Sequence, residues 1–154
     1  MIEPFSITSK SGKKRAFELL GLLNNSDLYY TKENNRIFVR DIFSLKTLLK
    51  ESSHVYVQQE KGMYTGLILL WKSVGSNVKR YYVKVVANNN QIANDLLTVL
   101  LWNCTLEVFT KVKKNDKLLN VFKRKGFRFA GSRGLQILLN RKPIHYKIYN
   151  KEDG

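Results

Sequence analysis

The sequence predicts a single α/β domain: a mixed, mainly antiparallel sheet with one parallel βαβ crossover. Three observations carry this. Two strand-like runs, His54–Gln59 and Met63–Lys72, flank Glu60-Lys61-Gly62, a hairpin signal. A buried-type strand, Tyr81–Ala87, runs through a polar turn, Asn88-Asn89-Asn90-Gln91, into an apolar helix over Ile92–Trp102 and then a strand over 105–112. About 17 residues lie between those strands, enough to cross over to a parallel neighbour. Finally, a helical run stops at Gly126 and is followed by a hairpin.

The elements follow in order. Ala16, Leu19, Leu20 and Leu23 have helical spacing within Lys13–Leu23, and Asn24-Asn25-Ser26 ends that helix. Arg36–Arg40 alternates as a short strand, and Ser44 is placed as N-cap of a helical stretch to Lys50. The hairpin comes next, then a turn over Ser73–Asn77 before the crossover strand. Within 105–112, Leu106, Val108 and Thr110 alternate with Glu107, Phe109 and Lys111. The second helix has Asn115 as its expected N-cap and Asp116 in its first turn, with Leu118, Leu119 and Phe122 facing inward. Phe127–Ala130 and Leu135–Asn140 form the last hairpin across Gly131-Ser132-Arg133-Gly134. The domain is expected to cover 1–143, with its most recognisable part over about 54–140 and a tail over 144–154.

Composition narrows the function classes. At 154 residues and 44% apolar, the chain is long enough for one core and is not a disordered basic tail. It has no apolar run of membrane-spanning length, and its N-terminus lacks a basic-then-apolar leader. The expected location is intracellular, with a particle assembled inside a cell as the alternative. Cys104 is the sole cysteine, which excludes an internal disulfide and reads as a buried small hydrophobe. His54 and His145 have no partners at ligand spacing, so no metal is expected.

Charge is high and uneven. The net charge is +15, and nine basic residues but a single acid fall between Lys111 and Arg133. Such a field attracts nucleic acid, phosphorylated cofactors or acidic proteins. A lysine-rich solvated surface would give the same count.

The Lys114–Phe127 segment, with Asn115 opening a helix and Gly126-Phe127 closing it, follows a crossover and precedes a hairpin. In this arrangement the chain resembles the GNAT superfamily of acyl-CoA-dependent N-acetyltransferases. The resemblance covers roughly residues 54–140. It implies acetyl-CoA as cofactor, with a pyrophosphate cradle of pattern Q/R-x-x-G-x-G/A at the turn after the crossover strand. Glycines in such a cradle let backbone N–H groups approach phosphate at a helix N-terminus. Aligned on Leu96-Leu97, this chain has Asn88-Asn89-Asn90-Gln91-Ile92-Ala93 there. Asn replaces the first position, Gln91 the middle glycine, and Ala93 alone satisfies the pattern. The implied cofactor-binding residues are Val86, Asn88, Asn90, Gln91, Ile92, Ala93 and Asn115. The family's general acid, a Tyr four residues before the glycine, is Phe122 here, which cannot deliver a proton. Strand 81–87 has no acidic residue to act as base.

The resemblance therefore implies acyltransferase ancestry with impaired or absent catalysis, and it names no catalytic residue. Two non-catalytic readings stand beside it. One is electrostatic binding of nucleic acid or another polyanion through Lys111, Lys113, Lys114, Lys123, Arg124, Lys125 and Arg128. On that reading Phe109, Phe127 and Phe129 are expected to pack in the sheet core and not to stack on bases. The other is a protein-assembly role, as in a bacteriophage particle, with Tyr146, Ile148 and Tyr149 of the tail adding to a neighbour's sheet edge.

Overall fold

The computed structural model describes residues 1–6, 10–23, 29–30, 42–73 and 80–143. The expected strand at Arg36–Arg40, the stop at Asn24–Ser26, most of the turn at Ser73–Asn77 and the tail over 144–154 lie outside these residues.

The elements are β1 (Ile2–Pro4), α1 (Lys10–Leu23), β2 (Tyr29–Tyr30), α2 (Ile42–Lys50), β3 (Ser52–Glu60), β4 (Met63–Lys72), β5 (Tyr81–Ala87), α3 (Asn90–Trp102), β6 (Val108–Lys113), α4 (Leu119–Arg124), β7 (Arg128–Arg133) and β8 (Gln136–Arg141). The eight strands form one sheet in the order β1-β3-β4-β5-β6-β8-β7, with β2 pairing β5 off that path. Every pairing is antiparallel except β5 with β6. The expected mixed sheet with one crossover is what forms.

Strand β4 sits between two layers. Ile68 and Leu70 join Val83, Val85 and the inner face of α3 in one core, which also holds Phe122, Phe127 and Leu139. Leu67 and Leu69 join Ala16, Leu19 and Leu22 of α1 and Leu45 and Leu49 of α2 in the other. Burial on both faces explains why β4 reads as a continuous apolar run. Its hairpin with β3 turns on two left-handed residues, Lys61 (φ 52) and Gly62 (φ 79), which suit the twist of paired strands. Gly66 decides how closely α3 approaches. A Cβ there would lie 2.7 Å from both Ile92 Cγ2 and Leu96 Cδ1, so the first turns of α3 rest on bare backbone.

Helix α4 ends in a Schellman arrangement. Phe127 N–H donates to the Phe122 carbonyl at 3.1 Å, and Gly126 N–H to that of Lys123 at 3.1 Å. Gly126 takes the left-handed φ of 90 that this motif needs. The Phe122 and Phe127 rings, 5.0 Å apart and edge-to-face, make the hydrophobic contact that accompanies it.

Several boundaries differ from expectation. Strand β6 begins at Val108, not 105, because Cys104–Glu107 turn out of α3, leaving Leu106 exposed. Cys104 itself is buried, as expected. Asn115 does not cap α4: Asp116 Oδ1 accepts from Leu118 N–H at 2.8 Å, and the helix starts after Leu118. Ser44 lies inside α2, which begins at Ile42. Leu22 is a buried contact of α1 where the spacing favoured Leu20, which is half-buried. The last hairpin turns at Gly134-Leu135, so Gly131, Ser132 and Arg133 belong to β7.

Candidate functional site

Strands β5 and β6 meet at their amino-terminal ends and then part. Their backbones pair at Tyr81↔Val108 and Tyr82↔Phe109 and at no later position. Thr110, fully buried, adds one side-chain link where the pairing stops: its Oγ1 donates to the Val83 carbonyl at 3.1 Å. On its other edge β5 is paired with β4 along its whole length, from Lys72↔Tyr81 to Gly66↔Ala87. A strand has two edges, so β2, pairing Tyr30↔Val86 and Tyr29↔Ala87, must share the β6 edge. The wedge between β5 and β6 is thus bounded by β6 at its base and by β2 at its mouth.

The turn after β5 is only Asn88-Asn89. Asn88 N–H donates to the Thr65 carbonyl at 3.0 Å. Asn89 is the N-cap of α3: its Oδ1 accepts from Ile92 N–H at 2.9 Å, and its carbonyl from Ala93 N–H at 3.2 Å. Of the first four helical N–H groups, those of Ile92 and Ala93 are therefore occupied. Those of Asn90 and Gln91 have no intrahelical acceptor, by the geometry of any helix start. The side chains of Ile92 and Ala93 are buried against the sheet. The exposed Gln91 side chain does not fill the wedge; its Nε2 donates to Asp95 Oδ1 at 2.9 Å, along the helix surface.

These placements test the fit of a pyrophosphate. Two backbone N–H groups, the helix dipole and the exposed amides of Asn88, Asn90 and Gln91 are compatible with an anion. The Asp95 carboxylate, one turn inside the helix, opposes it. The fit is that of a reduced cradle. Val86 contributes nothing from its side chain, which packs in the α1/α2 layer on the opposite face. Its backbone edge lies opposite Tyr30. Asn115 is exposed in the turn after β6. Because β5 and β6 are parallel, Asn115, Lys113 and Lys114 share the sheet end of the Asn88–Gln91 turn.

The seven basic residues do not converge. Arg128 is level with Asn140 and Phe109, whereas Lys113 is level with Gln136 and Arg133. Four residues of strand separate these levels, about 14 Å. Lys123, Arg124 and Lys125 lie with Arg128 at the far end, because α4 runs back against the direction of β6. The phenylalanines also divide. Phe127 is buried and Phe109 half-buried, but Phe129 is 66% exposed, contrary to expectation.

At the position of the expected acid, Phe122 is fully enclosed in the core. Sequence reasoning missed Thr110, Asp95 and β2. A Thr at a buried position of an alternating strand, and a Gln–Asp pair four residues apart on a helix, were the available signals for the first two.

A splayed parallel pair, crossed by a helix whose N-terminus looks onto the opening and followed by a terminal antiparallel hairpin, is the layout of the GNAT acetyltransferases. No protein-family model and no curated protein matches the sequence. Solved structures do match. An acetyltransferase of the GNAT family from Streptococcus pneumoniae superposes with a TM-score of 0.69 at 14% identity, over 92% of this chain and 98% of that one. A ribosomal-protein-alanine N-acetyltransferase from Brucella melitensis gives 0.67 at 14%, over 92% and 99%. A chain of the NatC complex bound to Gag peptide and CoA gives 0.60 at 14%, over 94% and 98%. This chain has the GNAT fold.

Among the described residues, no group of three His, Cys, Asp or Glu side chains is placed to hold a metal, and no helix is long and apolar enough to cross a membrane.

Proposed function

We propose that residues 1–143 form one GNAT-type domain that binds acetyl-CoA in the β5/β6 wedge and transfers its acyl group to an amine slowly or not at all. The observation that carries this reading is the opening of the β5–β6 seam after two paired residues. In the bound state the Asn90 and Gln91 N–H groups would face the pyrophosphate, with Lys113 and Lys114 at the same end of the sheet. Acetyl-CoA supplies an activated thioester. What this chain supplies is position, which by itself lowers the barrier to acyl transfer substantially. It lacks a proton donor at Phe122, and Thr110 Oγ1 already donates to Val83. The CoA-bound NatC structure supports the choice of cofactor by analogy of fold.

Calorimetric titration with acetyl-CoA at moderate salt tests the proposal. A micromolar dissociation constant is expected, accompanied by little thiol release with amine acceptors. No heat at millimolar ligand would remove the cofactor reading and leave a binding or assembly role on a GNAT scaffold.

A further inference from the structure

At the other end of the sheet lies a cavity of about 430 Å³, lined by Gly126, Arg128, Phe129, Asn140, Arg141 and Lys142 together with Pro143. Its volume is within the range of small-molecule pockets, about 300–1,000 Å³. Its lining comes from both faces of the sheet: Phe129 and Arg141 lie on the α4 face, Arg128 and Asn140 on the other. Phe129 presents a largely exposed ring on β7, the last strand of the sheet. Arg128, Arg141 and Lys142 supply cations, and none of them forms an ion pair with a described residue. Arg141 is held in place: its Nε donates to the Lys125 carbonyl at 2.8 Å, leaving the other guanidinium donors for an anion. Asn140 Nδ2 donates to Glu107 Oε2 at 3.1 Å, which fixes the amide and leaves its oxygen as an acceptor. Lys123, Arg124 and Lys125 lie on the same side, around the end of α4.

We propose that this end of the sheet is a binding site for single-stranded nucleic acid. Phe129 is the stacking face for one base, and Arg141, on the same face of the sheet, and Lys142, just past the end of β8, contact phosphates. Charge selects the partner class, since a second copy of a +15 chain is repelled. The ring selects single strands, because an aromatic face can stack only on a base that is not already stacked in a duplex. The site stands apart from the wedge and does not depend on acetyl-CoA binding.

Fluorescence anisotropy with a labelled oligothymidine of about twelve nucleotides, a length within the usual range of single-strand sites, tests this. The full chain should bind it more tightly than a hairpin duplex of equal charge. The log–log salt slope should be about −3 if about four phosphates are neutralised. Phe129→Ala should weaken binding about tenfold with the slope unchanged, and Phe129→Trp should retain it. Lys142→Gln should reduce the slope by about 0.7. Equal affinity for duplex, indifference to Phe129→Ala, or competition by polyglutamate as strong as by oligonucleotide would each overturn the proposal. Phe129 and Lys142 lie outside the core, so these variants keep the fold.

Discussion

The two ends of this sheet treat anions differently. At the carboxyl ends of β5 and β6 the proposed attraction would come chiefly from backbone, two N–H groups and a helix dipole opposed by Asp95, with Lys113 and Lys114 at the same end. At the proposed nucleic-acid end it would come from side chains, with Arg141 and Lys142 near the exposed Phe129 ring. A backbone site is fixed by how α3 sits on the sheet and fails if that seat shifts. A side-chain site on an edge strand tolerates such shifts but is screened by salt. The difference teaches that the high net charge does not mark the fold-defined site.

The largest effect should come from removing the seat. Gly66→Val places methyl groups where Ile92 and Leu96 already pack, and should cost about 2–3 kcal/mol in denaturant unfolding. In the folded fraction, acetyl-CoA binding should be lost while oligonucleotide binding persists; loss of both would show that the two ends are coupled. Next, Asn89→Ala deletes the α3 cap and should cost about 1 kcal/mol, whereas Asn89→Gly should cost only a few tenths. Because Asn89→Gly also frees the Ile92 N–H, calorimetry should report tighter acetyl-CoA binding for that variant than for the parent. Tyr30→Pro removes one backbone donor from the β2 segment. If that donor faces β5, its loss should raise acetyl-CoA affinity by about fivefold, the worth of one hydrogen bond. The smallest effect is assigned to Asp95→Asn, which should tighten acetyl-CoA by about two- to threefold at low salt, as expected for one charge in a helix-terminal field. All five variants should leave the salt slope for oligothymidine unchanged.

Much of the fold was readable because local signals agreed. The ends of β4 match the reading residue for residue, since Lys61-Gly62 and a doubly buried apolar run leave little choice of register. The start of α4 was misplaced because Asn115 and Asp116 are both capping residues and sequence does not rank adjacent candidates. Strands β1 and β2 are three and two residues long and carry no periodicity; long-range pairing alone defines them. Phe129 is expected in the core with Phe109 and Phe127 because an aromatic on a strand more often packs than stacks, yet it is exposed. Phe127 belongs to the helix stop, and the core ends at Leu139 of the neighbouring strand. At the site, the defects of the cradle were visible as missing glycines. That Gln91 turns away to Asp95, and that β2 and not β6 pairs the end of β5 beneath it, required the geometry.

The position of Tyr29–Tyr30 on β5 has a consequence for any measured affinity. The segment belongs to the same molecule as the edge it pairs with, so it acts as a tethered competitor. Its effective concentration is set by the length and stiffness of the connecting chain. A ligand that uses the Val86–Ala87 backbone binds only the fraction of molecules in which that edge is free, and its apparent dissociation constant is the intrinsic one divided by that fraction. The occupancy of two residues of strand then sets the working range of the wedge, whatever the strength of the phosphate contacts behind it.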